Sequence, residues 1–200
     1  MGAAAIPVVV LFLLLFISWR MVLTYNRDLI RAKAWGELIR RALPFAALSL
    51  MALTLLPVLS VQQEWARTVW AIGSVVAVFL ANIFSITMSE RRANRAFRKG
   101  DYQKAIDEYS ELAEDNPLAR HNAFLAAALG AKGENEESLK VANKAVKLDP
   151  EYGIAYYNRA LVLNRMGRKS RSIKDLRRAL ETDLPRRLKN QARGLLEELT

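Results

Sequence analysis

The chain offers one imidazole and no thiol. His121 is its single histidine, and cysteine is absent, which excludes disulfides, thiolate nucleophiles and cysteine metal sites. A lone histidine without a cysteine partner makes no metal site, and no serine and carboxylate accompany it in a triad-like pattern. It reads as a surface residue near the start of a helix. Carboxylates crowd at Asp107, Glu108, Glu111, Glu114 and Asp115. They fall along one helix, as a solvated acidic face rather than a general acid–base pair. No Walker loop, dinucleotide fingerprint or His-Glu-x-x-His motif occurs. The expectation is a protein that is not an enzyme and holds no cofactor and no metal.

Cations are more telling. The net charge is +10 over 200 residues, and it is unevenly spread. From Gly100 to Tyr157 acids outnumber bases, whereas from Arg159 to Arg193 twelve Lys/Arg face three acids, Asp175, Glu181 and Asp183. Arg171, Lys174 and Arg178 recur at i, i+3 and i+7, with Arg168, Lys169 and Arg177 beside them. A basic helical face is ordinarily just solvated. On a membrane protein it also attracts anionic headgroups. Acidic proteins or RNA are alternatives, but no aromatic stacking platform accompanies the patch, so nucleic acid is disfavoured.

The elements that must position these residues form a repeat. Lys99-Gly-Asp-Tyr-x-x-Ala-Ile, Lys132-Gly-Glu-Asn-x-x-Ser-Leu and Met166-Gly-Arg-Lys-x-x-Ser-Ile read alike, and each runs on to Pro117, Pro150 or Pro185. Gly100 and Gly133 stand 33 apart, Gly133 and Gly167 34 apart. Each glycine suits a tight turn with positive φ. The small residue five places on (Ala105, Ser138, Ser172) lets two helices approach, and the next (Ile106, Leu139, Ile173) faces the core. The prolines cannot continue a helix and mark repeat ends. Leu188, Ala192, Leu195 and Leu199 make one stripe, as in a terminal capping helix.

A period of about 34 with a glycine turn and a closing proline resembles the tetratricopeptide-repeat family, over residues 86–200. The resemblance implies an α-solenoid with a concave face that binds other proteins, and no catalysis. Of the bulky aromatic usual near the start of each first helix only Tyr156 is clear; Ser89 and Asn122 take its place elsewhere. By alignment with the family pattern the concave face presents Asn94, Phe97 and Arg98, then Arg120, Ala123, Ala127 and Ala131, then Ile154, Tyr157, Leu161 and Arg165. Such a groove suits an extended or helical segment with an apolar side and acidic ends. Of the clamp by which some family members grip chaperone C-termini only Asn94 matches; Glu90, Phe124, Ile154 and Asn158 hold the other positions. A chaperone-tail receptor is disfavoured.

Before Glu90 the chain changes character. Ala3–Trp19, Ala42–Val61 and Thr68–Ser89 carry no charge. Each approaches the ~20 residues needed to cross a ~30 Å hydrocarbon core, giving predicted spans at about 3–23, 42–61 and 66–88. Pro44 falls at the start of the second, where a missing N–H is harmless, and Pro57 kinks its far end. No basic residue precedes the first span, so it reads as retained rather than as a signal peptide. Arg20, Arg27, Arg31, Lys33, Arg40 and Arg41 follow it, Gln62–Arg67 is nearly neutral, and Arg91, Arg92, Arg95, Arg98 and Lys99 follow the third. The positive-inside rule puts the N-terminus outside and the repeats in the cytoplasm, in what reads as a prokaryotic plasma membrane. Trp19, Trp35, Trp65 and Trp70 fall near interfaces. Residues 26–41 read equally as a short interfacial helix or as extensions of the spans. Residues 64–99 read as one continuous helix entering the first repeat. Gly73, Ala77 and Ala81 make a small-residue stripe for helix packing, against the chain's own spans or against a partner.

The predicted architecture is all-α: a membrane domain, residues 1–88, then a cytoplasmic repeat domain, residues 89–200. The repeats are predicted at about 86–118, 119–152 and 153–185, with a cap at 186–200. The expected function is recruitment or assembly of protein partners at the membrane. The alternative is a permanent accessory subunit of a larger integral membrane complex.

Overall fold

The computed structural model describes residues 5–59 and 62–200. Their regular structure is helical: α1 Ala5–Tyr25, α2 Arg27–Arg31, α3 Trp35–Leu59, α4 Glu64–Phe84, α5 Met88–Lys99, α6 Tyr102–Asp115, α7 Ala119–Lys132, α8 Asn135–Leu148, α9 Gly153–Arg165, α10 Lys169–Glu181 and α11 Arg186–Leu199. The chain divides into two compact units, Met1–Thr87 and Met88–Thr200.

In the first unit α3 packs against α1, α2 and α4. Hydroxyls on α3 receive indole N–H groups from both long neighbours. Trp19 Nε1 donates to Ser49 Oγ at 2.9 Å and Trp70 Nε1 to Thr54 Oγ1 at 3.1 Å. Each hydroxyl in turn donates to a carbonyl one turn back, Ser49 to Phe45 O at 2.8 Å and Thr54 to Leu50 O at 2.9 Å. Burial is inverted relative to a water-soluble core. Val22, Leu29 and Pro44 are the buried apolar side chains among the described residues of this unit, while Phe16, Leu50, Leu53, Val69, Ile72, Phe79 and Phe84 point outward. Two segments, Trp35–Leu55 and Glu64–Phe84, are long and apolar enough to cross a membrane by length and composition. The expected first span falls on α1, and residues before Ala5 lie outside the described residues.

Several expectations need correction here. The helix that carries the predicted span at 42–61 starts earlier, at Trp35, so Pro44 lies inside it, as does Pro57. Pro44 is therefore no N-terminal residue, and its missing N–H leaves the Arg40 carbonyl without its helical donor. The continuous helix over 64–99 is interrupted after Phe84, and α5 begins at Met88. Polar side chains end it. Asn82 Nδ2 donates to Val78 O at 3.1 Å and Ser85 Oγ to Asn82 O at 2.8 Å, where such groups compete with the backbone ladder. Residues 26–41 divide between the two readings. Arg27–Arg31 is a five-residue helix, the chain turns at Lys33 with φ 54°, and α3 then extends the second span backwards.

The second unit is a stack of antiparallel pairs: α5 with α6, α7 with α8, α9 with α10, and α11 against α10. The turn glycines Gly100, Gly133 and Gly167 have φ of 79°, 98° and 71°, a region that penalises a Cβ. Five residues on, Ala105, Ser138 and Ser172 are fully buried. Both serines bridge their pair: Ser138 Oγ donates to Ala126 O at 2.6 Å and Ser172 Oγ to Ala160 O at 2.8 Å. The core is alanine-rich. Ala93, Ala96, Ala105, Ala113 and Ala128 surround Tyr109, and Ala160, Ala179 and Ala192 surround Tyr156 and Leu176. Small side chains let helix axes approach, so the aromatics fill what space remains. His121 is buried rather than at the surface. Its Nδ1 lies 3.1 Å from Leu112 O and 2.8 Å from Asn116 O, tying the end of α6 to the start of α7.

Candidate partner-binding groove

Helices α5, α7, α9 and α11 present one face each to a groove of about 310 Å³. Register sets which side chains reach it. Asn94 and Arg98 are one turn apart on α5, Ala127 and Ala131 one turn apart on α7, and Leu161 and Arg165 one turn apart on α9, and i, i+4 residues share a helix face. The alanines give the centre its depth. Phe97, Phe124, Ile154, Tyr157 and Leu188 supply apolar wall, and Tyr109 and Asn158 lie behind them. Tyr109 stacks on Phe124 with ring centroids 5.8 Å apart and planes at 22°.

Its polar groups are held in place. Tyr109 OH donates to Asn94 Oδ1 at 3.0 Å, and Asn94 Nδ2 donates to Glu90 O at 2.8 Å. Burial, and then the negative charge of Glu90, raise the Tyr109 phenol above its ordinary range. Burial alone raises Tyr157, whose hydroxyl approaches Gln191 Oε1 of α11 at 3.5 Å. Asn158 Nδ2 donates to Ala123 O at 2.9 Å, joining α9 to α7. Arg98 and Arg165 stay exposed at the rim. Both sit at C-terminal ends of first helices, so the positive charge gathers at one end of the groove.

Nine of the eleven residues expected on the concave face, Asn94, Phe97, Arg98, Ala127, Ala131, Ile154, Tyr157, Leu161 and Arg165, line a single groove. Arg120 and Ala123 do not. Both are buried, in the first turns of α7, where the helix packs against its neighbours rather than facing the groove. Sequence reasoning missed Tyr109, Val162 and Leu188. Leu188 belongs to the cap, which occupies the place of a further first helix; its apolar stripe was the available signal.

The basic face also resolves. Arg168, Lys169, Arg171, Lys174 and Arg177 are exposed. Arg178 is engaged: it pairs with Glu151 at 2.5 Å and Glu181 at 3.6 Å and lies over the Tyr156 ring at 5.9 Å. Asp175 turns inward to Arg159 through bonds of 2.6 and 2.8 Å. That hydrogen-bonded carboxylate raises the Arg159 guanidinium. Of the small-residue stripe, Gly73 and Ala77 are exposed and Ala81 is half-buried, and a Cβ on Gly73 would meet nothing. The side of α4 turned to α3 carries Trp70 instead.

Stacked antiparallel helix pairs with a groove along their first helices define an α-solenoid built from short repeats. Residues 128–167 match the family model described as TPR repeat, and residues 154–184 match that described as tetratricopeptide repeat. The chain is similar to the TPR repeat-containing thioredoxin TTL4 of Arabidopsis thaliana, 37% identical over 81 residues, covering 39% of this chain and 12% of the relative. It is similar to a DnaJ homolog subfamily C member 7 homolog of Dictyostelium discoideum, 31% identical over 53% of this chain and 21% of the relative. It is also similar to small glutamine-rich tetratricopeptide repeat-containing protein 2 of Mycosarcoma maydis, 30% identical over 45% of this chain and 26% of the relative. The chain therefore spans between 12% and 26% of the lengths of these relatives. Among solved structures, the complex of the TPR2B domain of yeast Sti1 with pHsp70 aligns at 25% identity and TM-score 0.49, over 56% of this chain and 89% of that one.

Proposed function

We propose that the chain is a membrane-anchored tetratricopeptide adaptor that recruits or assembles protein partners and carries out no catalysis. The groove is the observation that carries this reading. An apolar floor of aromatic and aliphatic side chains, with Arg98 and Arg165 at the rim, suits an extended or helical segment with an apolar side and acidic ends. Glu90, Phe124, Ile154 and Asn158 at the clamp positions argue against recognition of a chaperone C-terminal carboxylate. The anchor reading rests on the outward-facing apolar side chains of α3 and α4, with α1 as a third span. Residues 1–88 form the anchor and residues 89–200 the adaptor. Basic residues flanking the spans put the N-terminus outside and the repeats in the cytoplasm.

Replacing Tyr157 and Arg165 with Ala tests the groove. Aromatic and arginine side chains are the usual hot spots, at ≥2 kcal/mol, or about 30-fold in affinity. Proteins crosslinked to the full chain in native membranes should be lost from the variant while its thermal unfolding stays unchanged. An unchanged crosslinked set sinks the groove reading.

A second reading, a permanent accessory subunit of a larger membrane complex, is favoured by the outward, open face at Gly73 and Ala77. Small residues there let another transmembrane helix approach closely. A stoichiometric partner that survives purification in mild detergent, and is lost on Gly73→Leu rather than on the groove changes, selects this reading.

A further inference from the structure

The outward faces of the three second helices occupy equivalent positions, counted from the turn glycines, yet their charges differ. On α6 Lys104 stands against Asp107, Glu111 and Glu114. On α8 Lys140, Lys144 and Lys147 stand against Glu136 and Glu137. On α10 Arg171, Lys174, Arg177 and Arg178 stand against Glu181 alone. The convex surface of the second helices therefore runs from acidic to basic along the array.

The acids near the basic end are consumed locally. Asp175 is held by Arg159, and Glu151 and Glu181 are held by Arg178. Arg168, Lys169, Arg171, Lys174 and Arg177 carry no ion pair among the described residues. They divide between two depressions, Arg168, Lys169 and Arg171 beside Ser170 in one and Lys174 and Arg177 beside Asp175 and Glu181 in the other, so no one recess gathers them all. They are strung over residues 168–177, about 14 Å of helix at 1.5 Å per residue. A row of separate, exposed cations with no ion-pair partner among the described residues matches an extended sheet of anionic groups rather than a discrete ligand. The exposed side of α10 has no aromatic residue for a base to stack on. The outward apolar side chains of α3 and α4 supply the reason for a bilayer to be nearby.

We propose that the exposed face of α10 docks on the headgroups of anionic phospholipids. This rests on the membrane-anchored reading above, but not on the groove. The charge gradient gives the contact a direction, because an anionic surface attracts the α10 face and repels the α6 face.

The chain lacks cysteine, so Ser170→Cys, in the middle of the patch, gives a unique labelling site. The labelled full chain is placed in nanodiscs of neutral phosphatidylcholine, or of the same lipid with about a third phosphatidylglycerol, each containing a headgroup-borne quencher. Quenching should be several-fold stronger in anionic discs and return to the neutral level at about 0.5 M salt, where the Debye length is a few ångströms. Combined Arg171→Gln, Lys174→Gln and Arg177→Gln should lower the contact equilibrium by on the order of 100-fold, from roughly one headgroup attraction per charge. Arg171→Lys with Arg177→Lys should preserve it. Equal quenching in both discs overturns the proposal, as does an unaltered triple variant. A chain that does not enter discs at all overturns the membrane reading and this inference together, whereas one that enters with a silent label overturns the inference alone. Protection of the label by added RNA in neutral discs, or by raising the number of copies per disc, assigns the face to nucleic acid or to a second chain and overturns it too.

Discussion

Gly153 is the residue with the least room. A Cβ there would lie 2.6 Å from Leu184 N and 2.9 Å from Leu184 Cα, backbone atoms that cannot swing aside. Its own N–H donates to Asp183 Oδ1 at 2.9 Å, so α9 begins pressed against the link between α10 and α11. Gly153→Ala should cost ~1–3 kcal/mol by overpacking, read as a lower thermal midpoint of residues 88–200. Tyr109 makes a pH prediction. Its phenol is held above the ordinary value of 10.0 by burial and by Glu90, so the fold favours the neutral form. That contribution is fully present below the unfolded value and is lost as pH rises above it. Stability should fall above pH 10, and Tyr109→Phe should fall less steeply, while losing about 1 kcal/mol at neutral pH with the bond to Asn94. Parallel pH curves for the two proteins would refute the assignment. At this scale the sequence was legible where a residue type answers one demand, as the turn glycines do. Arg120 and Ala123 were misplaced because repeat register says which face a position shares, but not how deeply the first turn of a helix is covered by its neighbours.

At the scale of elements, each helix pair repeats one device with one variation. Ser138 and Ser172 reach the carbonyl of the residue twelve earlier, across their pair; Ala105 has no hydroxyl to do so. Ser138→Ala should remove a buried bond worth about 1 kcal/mol. Ala105→Ser should recreate it toward Ala93 O in the first pair, with little change in volume. Equal unfolding free energies for Ser138→Ala and the parent chain would deny the bond any weight. Helix starts and breaks were less legible than helix pairs. The start of α3 was hidden because a search for uncharged residues discards Glu37, Arg40 and Arg41, which pair or face outward on a helix just as well. The interruption after Phe84 depended on how Asn82 and Ser85 spend their hydrogen bonds, which hydropathy does not register.

At the scale of the whole molecule, two sequences with opposite burial logic share one chain. One keeps apolar side chains outside, the other keeps alanines within. Composition averaged over both suggested neither; the division became readable where the uncharged stretches ended and the 34-residue period began. The membrane-anchored reading makes an ordering prediction. Reporters fused after Thr200 or inserted near Lys33 should register as cytoplasmic, and one inserted near Gln62 as external, since the basic segments follow the first and third spans. A reporter active outside at Thr200 would reverse the orientation and place the groove and the basic face on the other side of the bilayer.

His121 carries one more consequence. Both oxygens facing its Nδ1 are backbone carbonyls, which only accept, so that nitrogen must bear a proton while the junction of α6 and α7 is intact. Because the chain has one histidine, selective labelling with ¹⁵N-histidine yields a spectrum with a single imidazole. That resonance is a native reporter of solenoid integrity, readable without a probe or a substitution. Loss of the protonated Nδ1 signal would time the separation of the first two repeats.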